Sequence, residues 1–229
     1  MKRAVVLLSG GLDSATVLYM ARKQGYDCHC LIFDYGQRHR KEINAAKRIA
    51  QGTLSSYRIE KIKLPWGGSA LLGKNKTLPR HHKHSVNDIP STYVPARNII
   101  FLSFALSFAE AVGASAIFIG AHAQDYSGYP DCRPQFLNAF RKAAALGTAS
   151  GVNKHGIKII APLINKNKSG IIKAGMKLGV PYYLTWSCYK GGSKPCGVCD
   201  SCYYRAKGFS ESGFRDTQQT KAKGVPIKL

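Results

Sequence analysis

The sequence predicts an α/β fold, a parallel sheet flanked by helices on both faces, followed by a small cysteine-rich C-terminal segment. Three observations predict it. Short apolar runs alternate with stretches of helical periodicity, as expected when parallel strands are joined by helical crossovers. The first apolar run ends in Ser9-Gly10-Gly11 and opens directly into a helical pattern. Near Val180-Pro181 the alternation stops and a cluster of cysteines begins. A chain of 229 residues has room for one such domain and a small annex, divided here into residues 1–180 and 181–229.

Ala4-Val5-Val6-Leu7-Leu8 reads as a buried strand, with Ser14, Val17, Leu18 and Ala21 at helix spacing behind it. Asp27 to Phe33 is the second strand, and Cys28 and Cys30 share one of its faces as buried thiols. Arg40 to Gln51 is a helix with Ala45, Ala46, Ile49 and Ala50 on one side, and Tyr57 to Leu64 the third strand. Pro65 to Ser91, rich in Gly, Pro, Lys and His, is a long surface loop in which His81, His82 and His84 are read as solvated. Arg97 to Val112 is apolar almost all round, so that helix is largely buried. Ala116 to Gly120 is a strand, Pro134 to Leu146 a helix with proline in its first turn, and Ile157 to Ala161 another strand. Ile171, Ala174, Gly175 and Leu178 mark the last helix of the series.

Thirty-four Lys and Arg against twelve Asp and Glu leave a net charge of +22. Such a surface attracts polyanions, so nucleic acid is a candidate partner, though not a required one. The basic residues are scattered, densest at Arg38 to Lys41 and Arg80 to His84, with no RNA-recognition signature. No run approaches the ~18 apolar residues of a membrane span. The N-terminal apolar stretch is too short for a signal peptide, so a soluble, cytoplasmic protein without membrane association is expected.

The chemistry is most legible in the turn after the first strand. Two glycines let the backbone adopt positive φ and approach a ligand closely. Successive N–H groups, two hydroxyls and a helix N-terminus then face one volume suited to phosphate. The Gly-Lys-Ser/Thr ending of a Walker loop is missing. The run Ser9-Gly10-Gly11-Leu12-Asp13-Ser14 resembles instead the pyrophosphate loop of enzymes that cut ATP between its α- and β-phosphates. That resemblance places ATP along Leu8, Ser9, Gly10, Gly11, Leu12, Asp13, Ser14, Ala15, Thr16, Val17 and Leu18, with Asp13 helping to hold Mg²⁺.

Cys188, Cys196, Cys199 and Cys202 are separated by seven, two and two residues, with Gly191, Gly192, Pro195 and Gly197 supplying tight turns. Four thiolates suit a closed tetrahedral Zn²⁺ site, and iron–sulfur ligation also accepts four cysteines. A closed site has no open coordination position, so its expected work is to pin the C-terminal segment. Cys132, in the polar loop from Asp125, is read as a packed thiol rather than a nucleophile.

Four further segments join these two: Phe33 to His39, Tyr93 to Asn98, Gly120 through Asp131, and Pro162 to Lys168. Taken together and in order, from about Ala4 to Phe214, they resemble the 7-cyano-7-deazaguanine synthases, nitrile-forming ligases of queuosine and archaeosine biosynthesis. The resemblance implies an adenine nucleotide alpha hydrolase-like fold with a zinc-binding C-terminal segment, and a cytoplasmic homodimer. It implies a carbon–nitrogen ligase that consumes ATP with Mg²⁺ to turn 7-carboxy-7-deazaguanine and ammonia into the 7-cyano compound. The carboxylate would be adenylated first, and the resulting amide second.

Site roles follow as expectations. Arg97 and Asn98, at the N-terminus of the buried helix, would meet phosphate or carboxylate. Lys166, with Lys168 beside it, would neutralise charge on departing pyrophosphate. Asp13, Arg97 and Lys166 form the expected catalytic set. Asp125, Asp131 and Arg133, beyond a strand's carboxyl end, would bind substrate together with Arg97 and Asn98. Three positions depart from the family pattern, with Gln135, Gly170 and Ser193 standing where an acid is expected. Two alternatives stay open: a pyrophosphate-loop enzyme that adenylates tRNA, and a catalytically impaired basic homologue that binds nucleotide or RNA.

Overall fold

Strand β1 (Lys2–Leu7) lies at the centre of a five-stranded sheet of order β3-β2-β1-β4-β5, and every pairing in it is parallel. The computed structural model describes residues 1–72, 77–81, 89–123 and 128–218. Around β1 stand β2 (Tyr26–Asp34), β3 (Ser56–Lys61), β4 (Ala116–Phe118) and β5 (Lys158–Ile160). Val6 is in register with Cys30 on one side and Phe118 on the other. The helices are α1 (Leu12–Lys23), α2 (Lys41–Gly52), α3 (Arg97–Ala111), α4 (Pro134–Gly147), α5 (Ala149–Val152), α6 (Lys168–Lys177) and α7 (Asp200–Ser212).

The period-two alternation of β1 sorts its side chains into two cores. Ala4, Val6 and Leu8 join Leu18 of α1, Ile43 and Ile49 of α2, and Ile171 and Ile172 of α6. Val5 and Leu7 face the other way, toward Leu102, Ala105 and Ala109 of α3 and Leu137 of α4. Helices therefore cover both faces, as the unbroken apolar run of β1 requires. Burial of each such Val or Leu contributes about 1.5–3 kcal/mol, which anchors the strand from which the site's loop departs.

Helix α7 was not foreseen from the sequence. Its buried residues are Asp200, Cys202, Arg205, Ala206, Gly208, Phe209 and Ser212, too few of them apolar to give a helical signature. Phe209 nevertheless belongs to the same buried cluster as β1 and α1, together with Val180 and Tyr182. Arg205, only 2 % exposed, holds the segment in place. Its Nε and Nη2 each lie 2.9 Å from an Asp216 carboxylate oxygen, and Nη1 donates to Thr185 Oγ1 at 2.7 Å. Nη2 also donates to the Tyr182 carbonyl at 3.1 Å. A second unforeseen piece is α5, where Thr148 in extended conformation ends α4 and its hydroxyl accepts from Gly151 N at 3.1 Å.

No helix among the described residues is long and apolar enough to cross a membrane. Replacing Arg205 by alanine removes the guanidinium that Asp216, Thr185 and the Tyr182 carbonyl all bond. The expected loss is about 3–5 kcal/mol of unfolding free energy, measured by urea denaturation.

Candidate active site

The chain leaves β1 toward β2 on one side, while β4 and β5 extend the sheet on the other, so a crevice opens at the carboxyl ends of β1 and β4. A cavity of about 250 Å³ occupies it, and Ser9, Gly11, Asp13, Ser14, Glu42, Arg97, Gly120 and Trp186 are among the residues that line it.

The floor is the turn from β1 into α1. Gly10 has φ +84°, and a Cβ there would sit 2.2 Å from the Glu42 carbonyl oxygen and 2.7 Å from Ala46 N. Only glycine lets α2 approach so closely. Gly11 precedes α1 without a side-chain cap, so the first N–H groups of the helix are left for a ligand. Ser9 and Ser14 are held together, Oγ to Oγ, at 3.0 Å, and Ser9 N donates to Ser14 Oγ at 3.2 Å. Trp186 N donates to the Gly10 carbonyl at 2.9 Å, tying the C-terminal segment to the loop. Leu8, Ser9, Gly11, Leu12, Asp13 and Ser14 line the cavity, whereas Ala15, Val17 and Leu18 are buried in the core. Thr16 Oγ1 lies 2.9 Å from the Tyr182 hydroxyl.

Asp13 projects from the first turn of α1 toward Lys168 and His122. Lys168 Nζ lies 2.8 and 2.9 Å from its two oxygens and 2.9 Å from His122 Nε2, and His122 Nε2 lies 3.5 Å from Asp13 Oδ2. Burial alone would raise the Asp13 pKa, but the Lys168 ammonium, followed by His122, overrides it and holds the carboxyl well below its ordinary value. The lysine stem passes over Gly208 of α7, where a Cβ would come within 2.5 Å of Lys168 Cγ. Lys166, the neighbour expected to act here, is exposed and does not line the cavity. Its backbone bonds to Leu163 O and Ala123 N, and Asn167 between the two lysines caps α6 by accepting from Gly170 N at 2.8 Å.

Arg97 and Asn98 open α3 after Ala96, whose φ of 54° is uncommon for a residue with a side chain. Arg97 lines the cavity, 5.9 Å from the ring centroids of Tyr35 and Phe101, and Nη1 donates to the Tyr35 hydroxyl at 3.4 Å. Asn98 also lines the cavity, and its Nδ2 donates to Cys132 Sγ at 3.0 Å. Asp131 is buried and accepts from Asn98 N at 2.8 Å, so it caps α3 from a distant loop. Arg133 is exposed at the start of α4 and does not line the cavity. Asp125, like His82 and His84, lies outside the described residues. His81 stacks on Tyr203 at 3.6 Å between centroids, and its Nδ1 lies 2.7 Å from Asp200 Oδ1.

Glu42 and His122 were missed as site residues by sequence reasoning. The signal for His122 was its position just beyond β4, at the switch point; for Glu42 there was none beyond its place in the first turn of a helix that follows a strand. Burial pushes the Glu42 carboxyl up to about 7, with Arg97 opposing the shift and Cys188 adding to it. The departures at Gln135, Gly170 and Ser193 touch none of this, because none of the three lines the cavity. Asn167 supplies the cap that an acid at Gly170 would otherwise reinforce.

Beside the cavity, the sulfur atoms of Cys188, Cys196, Cys199 and Cys202 all lie within 4.8 Å of one another. The Cys196 to Cys202 separation is 3.9 Å, close to the ~3.8 Å edge of a tetrahedron with Zn–S near 2.3 Å. Backbone N–H groups of Lys190 and Cys196 donate to Cys188 Sγ at 3.4 and 3.3 Å, which favours the thiolate a metal needs. The donor set thus fits a closed tetrahedral metal centre.

Fold and loop together define the class: an α/β protein with an adenine nucleotide alpha hydrolase-like fold and a four-cysteine segment toward its C-terminus. The family model described as Queuosine biosynthesis protein QueC matches residues 3–213, and the chain belongs to that family. It is 56% identical over 218 residues to the 7-cyano-7-deazaguanine synthase of Acetivibrio thermocellus, covering 95% of this chain and 97% of the relative. The synthase of Thermoplasma acidophilum is 52% identical over 216 residues, covering 94% and 90%. Among solved structures, NMN synthetase from Francisella tularensis aligns over 93% of this chain and 78% of its own with a TM-score of 0.50 and 15% identity, a likeness of fold alone.

Two outcomes follow from this geometry. A carboxyl raised by burial stabilises the fold while protonated and loses that contribution as pH rises from its ordinary 4.5 through about 7. Glu42→Gln is therefore expected to equal wild type at pH 4 and exceed it at pH 8 by about 1–2 kcal/mol after solvent screening, read from denaturation at both pH values. Replacing Cys196 by serine is expected to reduce bound metal from about one equivalent to well below it and to lower the melting temperature, by elemental analysis and calorimetry.

Proposed function

We propose that the chain is an ATP-dependent ligase that converts 7-carboxy-7-deazaguanine and ammonia into 7-cyano-7-deazaguanine. The observation that carries this reading is one cavity lined by a pyrophosphate-type loop, an acid that Lys168 pairs from beside it, and a half-buried arginine, within a QueC-family chain. Relatives at 50–56% identity over most of the chain bear the synthase name. Those identities do not favour the tRNA-adenylating or impaired RNA-binding alternatives.

A carboxylate oxygen is a poor leaving group, so the reaction must first convert it into one. The bare N–H groups at the start of α1, with Ser9 and Ser14, are placed to receive the β- and γ-phosphates as pyrophosphate. The substrate carboxylate attacks the α-phosphorus, and Arg97 is the cation available to hold it in line. Lys168 already neutralises Asp13 and is positioned to follow the charge that develops on pyrophosphate. Ammonia then displaces AMP to give the amide. Repetition with the amide oxygen as nucleophile lets that oxygen leave too, and the nitrile remains. Asp13 is the carboxylate suited to hold Mg²⁺, which when bound would shield the triphosphate charge.

In the same reading, residues 1–180 form the ATP-binding domain and 181–229 the segment held by Zn²⁺ at the four cysteines. The protein works in the cytoplasm as a homodimer, a placement that rests on the family alone. Asp131 supports the site through α3, and Arg133 and Asp125 remain assigned to the substrate side. Incubation with 7-carboxy-7-deazaguanine, ammonium and Mg·ATP is expected to yield the cyano compound with two AMP per nitrile, by mass spectrometry and nucleotide chromatography. Lys168→Met is expected to lower kcat by about 10²-fold or more, whereas Lys166→Met stays within a few-fold of wild type. Absence of AMP, or formation of ADP, would overturn the proposal.

A further inference from the structure

The nitrogen chemistry needs a base that the adenylation chemistry does not. Turning ammonium into a nitrile strips every proton from the nitrogen. The first leaves ammonium and frees the lone pair that attacks the acyl carbon. The second leaves the tetrahedral adduct as the C–O bond breaks and its electron pair departs with AMP. The last two leave the adenylated amide, where one N–H electron pair becomes the nitrogen lone pair and the other forms the third C–N bond as the second AMP departs with the C–O pair.

Two carboxylates line the cavity among the described residues, Asp13 and Glu42. Asp13 is engaged by Lys168 through both oxygens and is poorly placed to take a proton. Glu42 has no hydrogen bond or ion pair from its carboxylate among the described residues. Its position is nonetheless fixed, because its own carbonyl is the atom that closes over Gly10. The first turn of α2 thus sits against the pyrophosphate loop and delivers a free carboxylate to the same cavity. The groups that face it are Arg97 of α3, Tyr35 after β2 and Cys188 of the C-terminal segment.

We propose that Glu42 is the ammonium-receiving carboxylate and the proton acceptor for the nitrogen steps. The assignment rests on the reading that this site adenylates a carboxylate for attack by ammonia. Arg97 draws the substrate's carboxyl group toward the same wall, so ammonia released at Glu42 emerges next to the carbon it attacks.

The test separates the two halves of the reaction in the full-length, metal-loaded protein. Adenylation is read as 7-carboxy-7-deazaguanine-dependent exchange of labelled pyrophosphate into ATP, without ammonium. The nitrogen steps are read as amide and nitrile by mass spectrometry, with ammonium added. Glu42→Gln is expected to keep exchange within about threefold of wild type while nitrile formation falls about 10²-fold or more. Glu42→Asp, which restores a carboxylate on a shorter arm, is expected to recover part of the loss. Nitrile formation by Glu42→Gln within threefold of wild type would overturn the assignment alone. So would parallel loss of exchange and product, which is what a binding or loop-supporting role gives. Absence of exchange in the wild type would overturn the adenylation reading, and the assignment with it.

Discussion

The site depends on how closely α2 can approach the turn after β1. A ligand's phosphates fit against that turn only if its backbone N–H groups are uncovered and its carbonyls are taken up elsewhere. Gly10 meets both demands. Its positive φ turns the chain away from β1, and its missing side chain lets the Glu42 carbonyl and Ala46 amide settle where a Cβ would stand. Trp186 then occupies the Gly10 carbonyl. Three separate parts of the chain, the loop, α2 and the C-terminal segment, are thereby locked to one α-carbon.

Charge is arranged around this scaffold by burial. The protein carries many more cations than anions, yet few of them reach the cavity. Lys168 is drawn in by Asp13 and His122, with its stem passing over Gly208 where a larger residue would collide. Arg97 is held against aromatic rings, a setting that a guanidinium tolerates better than an ammonium would. Among the described residues the cavity is lined by two acids, Asp13 and Glu42, and one cation, Arg97, with Lys168 and His122 gathered on Asp13 beside it.

Much of this was legible in the sequence where periodicity and local chemistry agree. The apolar run of β1 and the helical spacing of α1 carried the strand–turn–helix unit, because both partners bury continuous faces. The cysteine spacing carried the metal site for the same reason, since four sulfurs within a short, glycine-rich stretch have little else to form. Helix α7 was illegible because its inner face is built of Arg205, Gly208, Cys202 and Ser212, held by hydrogen bonds rather than by apolar periodicity. The choice between Lys166 and Lys168 was equally hidden. It is made by Asn167, whose cap starts α6 so that the residue after it points inward and the residue before it stays in solvent. Asp131 looked like a substrate ligand from its loop, and only the fold brings it to the N-terminus of α3.

In the proposed reaction one loop activates the same substrate twice through the α-phosphate of ATP. The most direct measurement follows the two oxygens of the substrate carboxylate, labelled with ¹⁸O, through a complete turnover and reads the nucleotide products by mass spectrometry. Both labels are expected in AMP, one atom in each of two molecules. Label in orthophosphate, or in water, would mean that the oxygens leave by another route and would contradict the proposed reaction.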